Sequence, residues 1–275
     1  MGSAIASALA RGGARVVTTV TSRSERTAEL ARRADAEQLT DLAFVVRESD
    51  VVLSVVPPGA ARGVAADIAE AARAEGARPL IADLNAVAPT TAHGVATILA
   101  QAGCDLVDGS ISGPPPWRQG TTRIYLSGLR ASEVAALPFD GVDTIDVGAD
   151  VGSASAVKMS TASVYKGSSA ILAQALLSAW RNGVLEHVLA DLQLGAPELV
   201  ARAERRLASA ARKADRYVDE MHEIAITQAA ADLEPALFEA MAAVYARLAK
   251  TPLAQRNPED VPADVTLADV LQGLD

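Results

Sequence analysis

The sequence predicts a doubly wound α/β sheet of parallel strands followed by an all-α domain. Three observations carry this reading. From Arg15 to about Asp146, short β-branched runs alternate with stretches of helical composition, the pattern of parallel strands joined by helical crossovers. From Ser153 onward the β signal stops. Half of the residues are apolar but only 3% are aromatic, so Ala, Val and Leu must build the core, and such small side chains suit close packing of helices on each other and on a sheet. The 275 residues are enough for two such domains. We place them at residues 1–150 and 151–275.

In chain order, residues Met1 to Leu9 read as a helix, and Gly12-Gly13 turns the chain into a strand over Val16 to Thr21. Further strands are expected at Val51 to Val56 and Leu80 to Leu84. The run Val51-Val52-Leu53-Ser54-Val55-Val56 is apolar on both faces, as a parallel strand covered by helices on each side requires. Helices are expected at Glu25 to Arg33, Ala60 to Glu75 and Thr90 to Gln101. In the second domain a helix runs from Ser153 to Asn182-Gly183, where glycine suits a helix stop. Helices follow at Pro197 to Lys213, Ala214 to Ala231 and Pro235 to Lys250, and a Pro- and Asp-rich strap after Thr251.

The net charge of −9 gives a long-range field of the wrong sign for nucleic acid or an anionic membrane. No apolar run approaches the roughly 18 residues of a membrane span. The single cysteine, Cys104, excludes an intrachain disulfide and a cysteine metal cluster, and it suits a reducing cytoplasm. His93, His187 and His222 lack metal-ligand spacing, so no metal is expected. Cys104 reads as a small core residue, and Trp117 as a subunit contact or a substrate wall.

A dinucleotide-binding fold opens with a strand, then G-x-G-x-x-G, then a helix whose N-terminus receives the pyrophosphate. Here the opening Met1-Gly2-Ser3-Ala4-Ile5-Ala6-Ser7-Ala8-Leu9 looks like that helix alone, with Gly2 as the third glycine. An ordinary amphipathic helix is the alternative. The domain then reads as a Rossmann-like sheet lacking its first strand, and we expect Met1 to be internal to the intact pattern. The strand over Val16 to Thr21 ends in Ser22-Arg23-Ser24-Glu25-Arg26. An NAD enzyme usually carries an acid at that tip for the ribose 2′-hydroxyl. Hydroxyls of Ser22 and Ser24 and guanidiniums of Arg23 and Arg26 suit a 2′-phosphate instead, pointing to NADP, with NAD possible. The bland reading is a solvated basic turn.

Four later segments, in order and spacing, resemble the β-hydroxyacid dehydrogenase and 6-phosphogluconate dehydrogenase-like family. They are Val55-Val56-Pro57-Pro58, Asp83-Leu84-Asn85-Ala86-Val87-Ala88-Pro89, Asp108-Gly109-Ser110-Ile111-Ser112-Gly113-Pro114 and Gly152-Ser153-Ala154-Ser155-Ala156-Val157-Lys158. Arg216 and Glu220-Met221-His222-Glu223-Ile224-Ala225 are similar to a subgroup with a compact helical C-terminal domain. The resemblance implies that Val56, Pro57 and Asn85 lie at the cofactor and that a long helix presents Lys158 as catalytic lysine. It also implies a homodimer. The sequence departs from the family at Asn85, which replaces a serine, at Pro114, which replaces a glycine, and at Ala162, which replaces an asparagine. These departures leave the substrate open.

Moving a hydride between a carbinol carbon and nicotinamide requires a proton to leave or reach the oxygen, and a lysine can carry it. Lys158 is the candidate, with Ser112 and the Gly113 backbone holding a carboxylate or hydroxyl of a small anionic or polar substrate. Lys166, eight residues on, is a candidate for an anionic substrate group. Glu220 and Glu223 share a helix face; Glu220 is a candidate for substrate hydroxyls, against the blander reading of a solvated face. The expected function is an NADP-preferring oxidoreductase. The alternatives are an imine reductase, a related group that generally lacks this lysine, and an inactive cofactor-binding homologue.

Overall fold

The computed structural model describes residues 1–117, 120, 122–255 and 265–275. The chain divides into two compact units, Met1–Met159 and Ser160–Asp275.

The first unit opens with helix α1 (Gly2–Arg11), then strand β1 (Val17–Thr18), α2 (Glu25–Arg33) and β2 (Glu37–Gln38). Helix α3 (Leu42–Glu48), β3 (Val51–Ser54), α4 (Ala61–Glu75), β4 (Leu80–Asp83) and α5 (Pro89–Ala100) follow. The unit continues through β5 (Leu106–Ser112), β6 (Thr122–Ser127), α6 (Ala131–Ala135) and β7 (Val142–Asp146). Strands β3 to β7 form one five-stranded sheet in sequence order. All neighbours are parallel except β5 and β6, which run antiparallel. The sheet is thus dominated by parallel pairs, as the sequence predicts, with β6 and β7 running opposite to β3–β5. Strands β1 and β2 pair with each other, parallel, in a separate sheet. Among the described residues, no strand pairs with the outer edge of β3.

Strand β4 shows why the sheet is covered on both faces. Leu80 and Ala82 pack with Ile5 and Leu9 of α1 and with Ile124 and Leu126. The intervening Ile81 packs with Ile68 of α4 and with Val95 and Leu99 of α5. Cys104 lies in this second cluster, buried. Helix α1 is pressed close at its end: a Cβ on Gly12 would fall 1.7 Å from the Pro138 carbonyl oxygen, so this turn admits no side chain.

The second unit is helical. Helix α7 (Ser153–Arg181) carries the chain into it, and the boundary expected near Asp150 precedes this helix, whose first turns belong to the sheet unit. Then come α8 (Leu185–Gly195), α9 (Pro197–Val200), α10 (Ala203–Ala211), α11 (Ala214–Ala230), α12 (Ala236–Leu248) and α13 (Leu267–Leu274). The single helix expected from Pro197 to Lys213 is two, because Arg202 takes a left-handed conformation with φ 57° that a helix interior does not allow. The tail expected as a strap contains α13, whose capping box joins Thr266 and Asp269; residues 256–264 of that strap lie outside the described residues. No helix of the described residues is long and apolar enough to cross a membrane.

Two buried carboxylates, Asp83 and Asp108, are cross-strand partners in β4 and β5. Burial pushes Asp83 up to about 7, and the neighbouring charge of Asp108 adds to this. The folded state thus holds the Asp83 proton more tightly than the unfolded chain does. Its contribution is fully present below the ordinary value of 3.8 and is lost as pH rises through about 7. Replacing it with a neutral isostere should flatten this part of the profile. We expect Asp83→Asn to lose less stability than the wild type between pH 4 and 8, by up to about 4 kcal/mol. Urea titrations of both proteins at each pH check this, and identical pH profiles would refute it.

Candidate active site

The site grows from the way α7 begins. Gly152, at φ 99°, turns the chain into the helix, and a Cβ there would meet His93 and Pro89 at 3.1 Å. The exposed N–H groups of a helix start need acceptors, and here β5 and β6 supply them. Asp108 Oδ2 accepts from Gly152 N at 2.9 Å, Ser155 N at 3.0 Å and Ser127 Oγ at 3.0 Å. Its Oδ1 accepts from Ser155 Oγ at 2.6 Å. Ser127 Oγ also accepts from Ala154 N at 3.1 Å, and Ser110 Oγ donates to the Ala154 carbonyl at 2.8 Å. Asp108, Ser110, Ser127 and Ser155 are all buried.

One turn further along α7, Lys158 Nζ donates to the Ile111 carbonyl at 2.7 Å. The chain then leaves β5 through half-buried Ser112 and exposed Gly113. Gly113 has φ 106°, a value that favours glycine. Thr122 Oγ1 holds the loop by donating to the Pro114 carbonyl at 2.6 Å. The structure thus brings together the predicted Lys158, Ser112 and Gly113: an amino group beside a short, glycine-containing loop. Asp108 and Ser155 lie within the segments that carry the family resemblance, but nothing in their local pattern marks them as partners. Ser127 carried no local signal at all, since its function arises from strand pairing.

A second group lies at the carboxyl ends of β3 and β4, the edge where open α/β sheets take ligands. Asn85 is buried, donates from Nδ2 to Ser54 Oγ at 2.9 Å and accepts from Val56 N at Oδ1 at 2.6 Å. Its own N–H donates to Asp83 Oδ1 at 3.1 Å. The amide faces inward and fixes the path of half-buried Val56 and exposed Pro57. Gly2 starts α1 against the same segment, where a Cβ would lie 3.6 Å from Val55 Cβ. Ser22, with φ 61°, and Arg23, Ser24 and Arg26 are exposed beyond β1. Ser24 caps α2 by accepting from Thr27 N. Trp117 carries the Arg33 guanidinium 5.7 Å from its ring centroid.

In the helical unit, Lys166 and Glu220 are turned towards each other. Glu220 is 4% exposed, which corrects the reading of a solvated face. It pairs with Lys166 and, through Oε1, with Arg216 Nε at 3.2 Å. Lys166 Nζ stands 4.5 Å from the Tyr217 ring centroid, and Tyr245 Oη donates to the Lys166 carbonyl at 2.7 Å. Tyr217 and Tyr245 meet edge to face with centroids 5.2 Å apart. Among the described residues, no group of three or more His, Cys, Asp or Glu is placed to hold a metal ion.

Residues 1–137 match the NAD-binding domain of 6-phosphogluconate dehydrogenase, and residues 179–248 match a domain of unknown function, DUF1932. A solved conserved protein of unknown function, described as structurally similar to 3-hydroxyacid dehydrogenases, is 29% identical with a TM-score of 0.64, over 90% of this chain and 92% of that one. The 3-hydroxyisobutyrate dehydrogenase of Mycobacterium tuberculosis, solved with L-serine, shares the fold at TM-score 0.69 and 22% identity, over 100% and 95% of the two chains. An imine reductase of Myxococcus stipitatus in complex with NADP+ shares it at TM-score 0.52 and 19% identity, over 100% and 96%. Residues 1–137 thus form an NAD-binding domain of the 6-phosphogluconate dehydrogenase type, followed by a DUF1932 region, in a chain similar to β-hydroxyacid dehydrogenase-like proteins.

Proposed function

We propose that this chain is an NADP-preferring oxidoreductase that moves a hydride between nicotinamide and a small polar or anionic hydroxyacid or its keto form. The observation that carries this reading is the Lys158 amino group, which as a neutral amine can accept a proton and as an ammonium return it, 2.7 Å from the Ile111 carbonyl and beside the Ser112-Gly113 turn. A bound nicotinamide accepts or supplies the hydride; the chain's own residues do the rest. In the direction of oxidation, Lys158 Nζ takes the hydroxyl proton as the carbonyl forms, and in reduction it returns the proton to the oxygen. The Ile111 carbonyl holds the amine in place, and Ser112 with the Gly113 backbone orients the substrate's carboxylate or hydroxyl.

The residues at the sheet's carboxyl edge suit a dinucleotide. The opening of α1 at Gly2 has no side-chain cap, so its N–H groups suit phosphate oxygens. The Asn85-held Val56-Pro57 segment suits the nicotinamide side. Arg23, Arg26 and the hydroxyl of Ser22 suit a 2′-phosphate, where guanidiniums form charge-assisted bonds. Retention of Lys158 favours carbinol chemistry over imine reduction, since an imine reductase of this group generally lacks the lysine.

Assembly as a homodimer accompanies this reading. Helices α8 and α9 bury none of their residues, and Val164, Tyr165 and Ile171 of α7 are 67%, 71% and 60% exposed. An apolar surface of this kind is what a second copy would cover.

Three outcomes check the proposal. Lys158→Ala should lower kcat for keto-acid-dependent NADPH oxidation by about 100-fold or more, with NADPH affinity unchanged by fluorescence titration. A near-normal kcat would assign the proton to another group. Arg23→Ala should weaken NADPH by about 1.5–3 kcal/mol per lost charge-assisted bond and leave NADH unaffected; equal affinities for the two cofactors in the unmodified protein would remove the NADP assignment. Light scattering at micromolar concentration should give twice the chain mass, and a monomer mass would rule out the dimer.

A further inference from the structure

We infer that Asp108 is a positioning residue for this reaction, the buried carboxylate that sets where the Lys158 amine stands. The inference rests on the reading of Lys158 given above. Strand β5 and helix α7 are joined at two points three residues apart on each element. Asp108 receives Ser155 at one point, and Ile111 receives Lys158 at the other. Asp108 to Ile111 spans about 10 Å of strand, whereas Ser155 to Lys158 climbs about 4.5 Å of helix. The long lysine side chain makes up the difference. The direction in which α7 leaves β5 therefore decides where Nζ arrives, and the Asp108 end fixes that direction.

A carboxylate is required there. Four donors converge on its two oxygens: the Gly152 and Ser155 N–H groups and the Ser127 and Ser155 hydroxyls. Both oxygens of a carboxylate accept, whereas an amide of the same shape must turn an NH2 donor towards one set of donors. The position at a helix N-terminus favours negative charge as well. At 1% exposure, Asp108 has no access to substrate, so its effect on the reaction passes through Lys158. A displacement of the amine by about 1 Å is enough to cost on the order of 100-fold in rate.

The test uses the full chain and a probe that needs no turnover. The sequence contains four lysines, Lys158, Lys166, Lys213 and Lys250, so reductive ¹³C-methylation gives an NMR spectrum in which Lys158 is assigned by its loss in Lys158→Arg. In Asp108→Asn we expect the Lys158 resonance to move to the position and linewidth of a free lysine while the other three stay in place. With glyoxylate as carbonyl probe, kcat should fall about 100-fold, with KM for NADPH unchanged. Ser155→Ala removes one donor and keeps the charge, so it should shift the same resonance less and in the same direction, with a fall in kcat of about 3–10-fold. This second variant decides the matter if Asp108→Asn does not fold. An unmoved Lys158 resonance in the variant that folds overturns the inference. Should Lys158→Ala retain full activity while the resonance still moves in Asp108→Asn, the catalytic reading fails and the positioning of the amine stands.

Discussion

The structure depends on one buried carboxylate. Asp108 sits on β5, receives a hydroxyl from β6 and holds the first turn of α7. Burying an unpaired carboxylate is prohibitive; four hydrogen bonds and a helix N-terminus offset that cost here. Its cross-strand partner Asp83 shows what happens otherwise. It has an equivalent depth in the sheet, accepts from the Asn85 N–H, and keeps its proton up to about 7. Two carboxylates side by side thus have different surroundings: four donors converge on Asp108, whereas burial raises Asp83.

The same division runs along the sheet's carboxyl edge. Polar side chains that are buried there are used inside the protein: Asn85 braces the Val56 segment, and Ser110 and Ser127 brace α7. Groups left accessible are those a ligand can meet, namely Arg23, Arg26, Pro57, Ser112 and Gly113. In the helical unit the charged groups follow the first pattern. Lys166 and Arg216 pair with the buried Glu220 beside Tyr217, an arrangement in which removing the cations would leave a buried charge uncompensated.

The periodic signals proved dependable where one residue type does one local job. Glu25–Arg33 and α7 were legible because helical composition runs unbroken between a start and a stop, and α7 ends where Gly183 adopts φ 68°. Helix α3 and strand β2 were not legible: at seven and two residues they are too short to show a period. The break at Arg202 was hidden as well, since a left-handed arginine leaves no trace in composition.

For the site, the sequence by itself determined the chemical inventory: a lysine in a stretch without other charge, a glycine-containing loop at a strand end, and arginines in place of an acid beyond β1. These are identities, and identities survive without coordinates. Only the tertiary structure decided which groups are buried in internal contacts and which lie at the surface. Asp108 and Ser155 are separated by 47 residues, and Lys166 and Glu220 lie on different helices. Hydrogen bonds and burial act over a few ångströms of space, so their partners are chosen by how strands and helices pack, a choice no local pattern of residues contains.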